Sequence, residues 1–206
     1  MKKSQQPSQT DIRKRILAVL EKTSGAPDPR RGKYRCGMVH RTALVLATSY
    51  KDQPRATALE FFHEGLTLYI LGGPGGKIAN IRRNPKVSAF IYEQPMDHRK
   101  IQPSLQIFGT AELITVRNNP KLFRAKLRTW NLDTVMRNLL SPVVKQHNLT
   151  GDAAEAFITK MINACSFIKI VPDKIILKEY YPDFSMQQYI WHARRQPLKK
   201  TIKGKE

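Results

Sequence analysis

Apolar and polar positions along the chain switch between two periods. Ile12, Ile16, Leu17 and Leu20 recur at helical spacing from Asp11 onward, with Thr10 or Asp11 as the cap. Residues 23–33 (TSGAPDPRRGK) read as a loop by their Gly and Pro content. Residues 43–50 (ALVLATSY) then predict a strand, residues 51–54 (KDQP) a turn, and residues 55–63 the returning strand. After a second turn at His63, Glu64 and Gly65, Leu66, Leu68 and Ile70 alternate with Thr67, Tyr69 and Leu71, which predicts the third strand of a meander. Four glycines in the five positions 72–76 break it. From Lys77 the period becomes helical, with Ile78 and Ile81 three apart, until Asn84-Pro85 stops the helix after about two turns.

A strand follows at residues 86–92, then a polar loop at 93–103 and a long strand at 104–115 (SLQIFGTAELIT). Gly109 in its middle predicts a bulge or sharp bend, the device that curls a sheet into a barrel. Residues 118–164 change character: Asn119-Pro120 opens a helix, and further helices fit 133–140 and 152–165. Strand patterns resume at 167–171 and 175–179, joined by a turn at Pro172, Asp173 and Lys174. Tyr180, Tyr181, Phe184, Tyr189 and Trp191 form an aromatic cluster read as core or dimer interface.

These elements predict an α+β chain in which six to seven antiparallel strands close a small barrel, with an N-terminal helix and a helical insertion at 118–164 before the last strands. The expected organisation is a disordered basic tail at 1–10, one domain over 11–191 and a basic tail at 192–206. Side chains fill a barrel of this size, so a large ligand belongs on its outside or against a second copy. The pattern therefore predicts a homodimer.

Composition narrows the partners. A chain of 206 residues with 41% hydrophobic content is long enough for one domain with a real core. No apolar run approaches the roughly 20 residues of a membrane span, and the basic start leads into no signal-peptide segment, so a soluble cytoplasmic protein is expected. The net charge of +20 invites a nucleic-acid partner, but it is unevenly spread. Residues 1–35 carry ten Lys/Arg against three Asp/Glu, and residues 192–206 carry six against one, leaving the middle with mixed signs. A pull on polyanions would come from the tails, which also read as merely solvated ends. Cys36 and Cys165 lack ligand spacing and read as reduced structural residues, with no metal site.

The chemistry concentrates at 72–77. Strand, glycine loop, Lys77 and helix start aim free backbone N–H groups and a positive dipole end at one point, an arrangement suited to a phosphate ester. The same glycines also fit a mere tight connection. A nucleotide P-loop is excluded, because its first glycine would fall on Leu71 and its hydroxyl on Ile78. The dinucleotide G-x-G-x-x-G spacing is missing as well. Neither a nucleophile elbow nor an RNA-recognition signature is present.

The succession ALVLATSYKDQPRATALEFF, GLTLYIL, GGPGGKIANIRRNPKVSAFIY and LQIFGTAELI resembles the pyridoxamine 5′-phosphate oxidase-like, FMN-binding split-barrel family over about residues 40–116. The resemblance implies a dimeric split barrel with FMN at each end of the subunit interface. It implies cofactor contacts from Arg55, Ala56, Thr57 and Ala58, from Ile70 and Leu71, from Gly75, Gly76 and Lys77 on the phosphate side, and from Gln106 near the flavin. The oxidase proper carries Ser-Arg-Lys where this chain has Gly75-Gly76-Lys77, a lysine near the position of Glu60, and a C-terminal Arg-x-His that is absent here. The implied function is therefore an FMN-dependent oxidoreductase of unassigned substrate, not the oxidase itself. Arg82 or Arg83 could replace the lost phosphate-binding arginine, or be solvated helix residues. Alternatives are a split barrel holding haem or a deazaflavin, and a non-enzymatic basic nucleic-acid-binding module. The five histidines are isolated in sequence, which gives haem no paired axial set.

Overall fold

The computed structural model describes residues 7–28, 33–35, 43–92, 97 and 99–193. Cys36, His40, His98 and most of both basic tails lie outside these residues. Helix α1 (Gln9–Thr23) starts earlier than its apolar period suggests, because Ser8 caps it: Ser8 Oγ accepts from the Asp11 amide at 3.2 Å and donates to the Asp11 carboxylate at 2.6 Å. Its buried stripe of Ile12, Ile16, Val19 and Leu20 faces the main core. The expected loop after it contains a short ribbon, β1 (Ala26–Asp28) paired with β2 (Lys33–Arg35).

The remaining strands form one antiparallel sheet. Strand β3 (Ala43–Tyr50) turns at Lys51 and Asp52, which adopt φ of 49° and 58°, into β4 (Gln53–Leu59). Positive φ at both turn residues matches the twist of paired strands, so the hairpin needs only two residues. The expected strand at 55–63 is interrupted: β5 (Phe62–Glu64) is separate, and the Phe61 carbonyl accepts from the Gly25 amide at 2.8 Å instead of from a strand. β5 pairs with β6 (Thr67–Gly72), which leads into helix α2 (Gly76–Arg83), then β7 (Lys86–Tyr92) and β8 (Gln102–Ile114). Three helices follow, α3 (Pro120–Thr129), α4 (Leu132–Gln146) and α5 (Gly151–Ala164), and then β9 (Ser166–Tyr180) and β10 (Met186–His192).

The sheet order is β4-β3-β7-β8-β9-β6-β5, with β10 also on β9. The expected meander is thus broken: β4 and β5, consecutive in the chain, lie at opposite ends of the sheet. This is an α+β split barrel of eight strands in which β9 is the shared member. One side of β9 pairs with β8 along its length; the other pairs with β6 over residues 166–170 and with β10 over 174–180.

The expected turn at Pro172, Asp173 and Lys174 is a bulge within that continuous strand. Phe108 pairs with Lys174 and Gly109 with Pro172, so Asp173 is the extra residue. Gly109 permits it, because a Cβ there would collide with the Val171 carbonyl oxygen and lie 3.0 Å from Pro172 Cα. The Asp173 carbonyl accepts from the Ala193 amide at 3.0 Å, past the end of β10. β10 was legible only as an aromatic cluster. Tyr189 and Trp191 pack on the main core, Arg15 lies 5.0 Å over the Tyr189 ring, and Gln9 bonds both Ile190 O and His192 N. Phe184, at the hairpin tip, is exposed.

Two cores result. The barrel interior is filled by Leu44, Leu46, Ile70, Ile91, Leu105 and Ile107, each at most 1% exposed. The back of β5, β6 and β9 is covered by the helices. There Trp130 stacks on Phe62 at 4.8 Å and meets Tyr69 at 5.2 Å and Phe167 at 5.9 Å. Lys126 is buried in this second core, paired with Glu64 and lying 4.7 Å over the Tyr69 ring. Among the described residues no helix is long and apolar enough to cross a membrane, and no three His, Cys, Asp or Glu side chains gather as a metal site.

Two outcomes follow from this packing. Gly109→Val forces the β8–β9 bulge apart and lowers stability by about 1–3 kcal/mol, the overpacking range, as read by urea unfolding. Burial, and then the Glu64 and Glu112 carboxylates, push the Tyr69 phenol from 10.0 up to about 12. The folded state favours the neutral phenol, so its contribution is complete below pH 10 and lost as pH rises toward 12. Stability of the parent falls over that interval more steeply than stability of Tyr69→Phe.

Candidate functional site

The corner at residues 72–77 is built from β6, α2 and β4. α2 is fixed by both of its faces. Ile78 and Ile81 enter the barrel core, while Gly76, Asn80 and Asn84, four residues apart, lie along β3 and β4. Asn80 Nδ2 donates to Thr48 Oγ1 at 3.3 Å, and Asn84 Nδ2 to the Ser49 carbonyl at 3.0 Å. Thr48 pairs across the sheet with Arg55. One turn back from Asn80, Gly76 therefore meets Arg55: a Cβ on Gly76 would stand 2.6 Å from Arg55 Nη1 and 3.0 Å from Cζ.

Lys77 folds the other way. A Cβ on Gly72 would come within 3.0 Å of Lys77 Cε and 3.7 Å of Nζ. The glycine loop is thus held between a guanidinium from β4 and an ammonium from α2. Gly75 takes φ of 151°, a conformation restricted to glycine, and caps α2 without a side chain. The first intrahelical bond runs from Ala79 N to Gly75 O at 3.1 Å, so the amides of Gly76, Lys77 and Ile78 precede it and have no acceptor in the helix. A Cβ on Gly73 or Gly75 would meet nothing within 4 Å, which leaves the loop open on its outer side. Two cations, free amides and a positive helix end at an open corner can bind a dianionic phosphate.

The other expected contacts divide between two places. Arg55 and Thr57 lie in the cross-strand rows of the barrel's inner face, with Thr48 and Leu46, at the rim beside α2. Ala56 and Ala58 are exposed on the outer face. Ile70 is fully buried in the core, so its side chain is closed to a ligand, and only its backbone edge is available. β6 runs past β5 at this point, leaving Ile70, Leu71 and Gly72 without a strand partner on that side. Leu71 is partly buried against the second core. Gln106 is not at the corner. It shares an outer-face row with Ala58, Val45 and Phe90, three strands from β4, roughly 14 Å at about 4.8 Å per strand.

Arg82 and Arg83 lie in the last turn of α2, at the opposite end of the helix from the loop. Both are exposed, and Arg83 lies 4.9 Å over Tyr50. The expectation missed Gly72, Asn80 and Asn84. The four-residue spacing of Gly76, Asn80 and Asn84 on a short helix was the available signal. Cys165, expected as a reduced structural residue, is free and buried next to β9, its thiol pushed up by burial, an effect opposed by the nearby Lys77 charge.

A family model described as pyridoxamine 5′-phosphate oxidase matches residues 32–154. No curated protein matches. Among solved structures, a pyridoxamine 5′-phosphate oxidase-related, FMN-binding protein from Nostoc punctiforme aligns with a TM-score of 0.57 at 14% identity, over 89% of this chain and 92% of its own. PhzG from Burkholderia lata, solved in complex with tetrahydrophenazine-1-carboxylic acid, aligns with a TM-score of 0.54 at 14% identity, over 93% and 90%. At these identities the likeness is one of fold. The family match spans the strands and α2 that build this corner, and on that match the chain belongs to the pyridoxamine 5′-phosphate oxidase family.

Proposed function

We propose that this chain is a flavoprotein that binds FMN with its phosphate at the Arg55–Gly76–Lys77 corner and works as an oxidoreductase on a substrate other than that of the oxidase proper. The observation that carries this reading is the placement of Arg55 against Gly76 and of Lys77 against Gly72, one cation on each side of the glycine backbone where α2 presents its free amides. The residues present fit the group. A phosphate monoester carries nearly two negative charges at neutral pH, and two cations with several N–H donors offset its desolvation. The bound flavin would supply the electron-transfer chemistry. The chain's own part is placement: Arg55 and Lys77 hold the phosphate, and the small side chains of Ala56 and Ala58 leave room on the outer face of β4 for a flat ring system. The FMN-binding protein from Nostoc punctiforme shares the fold and supports the same reading.

The filled barrel leaves no interior space for a flavin, which favours a site between two copies. The outer sheet face supports this. Ala56, Ala58 and Phe90 are exposed on it, and Val45, Gln106, Phe108 and Ile176 are only partly covered. Closing two such faces brings Gln106 of one protomer's sheet to the interface. In this reading, the homodimer completes a site that one chain provides only in part.

The absorption spectrum of purified protein should show flavin. Arg55→Ala and Lys77→Ala should each weaken FMN binding roughly 10- to 100-fold, the worth of a charge-assisted hydrogen bond, while riboflavin, which lacks the phosphate, binds them as it binds the parent. A haem spectrum, a protein colourless in excess FMN, or equal losses for FMN and riboflavin overturns the assignment. Phe90→Glu places a charge on the outer face without touching the core. It should give monomers in sedimentation and lower flavin content, whereas an unchanged dimer removes that face from the interface.

A further inference from the structure

The helical insertion carries a cavity of about 360 Å³, within the range of small-molecule pockets and lined by none of the residues of the glycine corner. Its floor is apolar: Phe123, Leu127 and Ile162 are all buried. Its two walls are helices. α3 presents Arg124 and Arg128, four residues apart and therefore on one face, and α5 presents Thr159 and Asn163, also four apart.

The charges at this rim are unbalanced. Asp133 also lines the cavity, but its carboxylate accepts from Arg137 Nε at 2.8 Å, and Arg137 is further bound by Glu155 at 2.8 Å. No ion pair or hydrogen bond involves the side chain of Arg124 or Arg128 among the described residues. Two like charges at this spacing repel each other, and an anion between them turns that repulsion into attraction. Paired guanidinia present forked donors matched to a carboxylate, while hydroxyl and amide groups opposite add neutral partners.

We propose that this cavity is a second ligand site, separate from the flavin corner, for a small amphipathic carboxylate: its head group between Arg124 and Arg128, its apolar body on Phe123, Leu127 and Ile162. The floor is in ring contact with the barrel. Phe123 meets Phe167 edge-on at 5.5 Å, and Phe167 pairs with Leu71 on the strand that enters the glycine loop. A ligand here would sit one side chain behind β6.

The test uses the full chain labelled at Ile and Leu methyl groups, with 4-phenylbutyrate as probe and 4-phenylbutyramide as its uncharged counterpart. The acid should shift the Ile162 and Leu127 methyl signals saturably, and the amide should bind at least tenfold more weakly. Arg124→Gln and Arg128→Gln, both surface changes that preserve the spectrum of the core, should each weaken the acid at least fivefold. Arg128→Lys should retain part of the affinity. Absence of shifts at these methyls, equal binding of acid and amide, or glutamine variants that bind as the parent does would each overturn the proposal. The readout is independent of flavin, so it stands or falls apart from the corner at Gly76.

Discussion

Strand β9 is the constraint on which the other elements depend. It is hydrogen-bonded on one side to β8 over residues 102–114 and is shared on the other side by β6 and β10, so it must pass from one neighbour to the next without ending. The bulge at Asp173, admitted by the missing side chain of Gly109, performs that change. It adds local twist, and the sheet curls where a flat ladder would have continued. Because the first half of β9 then pairs with β6, Gly72 is set opposite Ser166, and the glycine loop starts from a fixed point. The geometry of the glycine corner is thus set some distance away, by a backbone irregularity that the missing side chain of Gly109 admits.

The first half of β9 and the middle of β6 bury side chains on both faces, which decides what the helical insertion does. Leu68, Ile70, Ile168 and Ile170 point into the barrel, while Tyr69 and Phe167 point into the helices. An insertion attached through Phe62, Tyr69, Trp130 and Phe167 is part of the folded body, and its aromatic contacts are too extensive for a mobile lid. Lys126 strengthens the same attachment. Its ammonium is taken from water, but it gains Glu64 and two aromatic faces in exchange, at 4.7 Å from Tyr69 and 5.3 Å from Trp130.

Much of this was legible because it rests on local patterns. The alternation in ALVLATSY, the period change at Lys77, the Asn119-Pro120 start and the bulge at Gly109 are all written within a few residues. What was not legible is long-range. Glu60 and Phe61 look like the middle of a strand, but nothing in their neighbourhood tells that β4 and β5 belong to opposite ends of the sheet. Pro172 and Asp173 carry turn chemistry, and the same chemistry serves a bulge when a glycine lies across from it. β10 alternates weakly, since its Gln187 and Gln188 hide the strand, and only pairing with β9 reveals it. At the corner, Arg55 and Lys77 were recognisable individually. Their meeting with the glycine loop, Arg55 at Gly76 and Lys77 at Gly72, depends on Asn80 and Thr48, a tertiary contact.

The distribution of charge explains why that meeting matters more than the net +20. Tail charges act through water, and at physiological salt their field decays over about 8 Å, so they raise the local concentration of any anion without choosing among them. At the corner the cations are already placed. Arg55 is held against Gly76 by strand pairing, and Lys77 emerges from the first turn of a helix whose far end is anchored by Asn84. The amides of Gly76, Lys77 and Ile78 are fixed in direction by the helix they start. A diffuse basic surface attracts polyanions in proportion to their charge. Two cations set on either side of an open glycine backbone favour, in the proposed reading, a compact terminal phosphate that carries nearly two charges at one point.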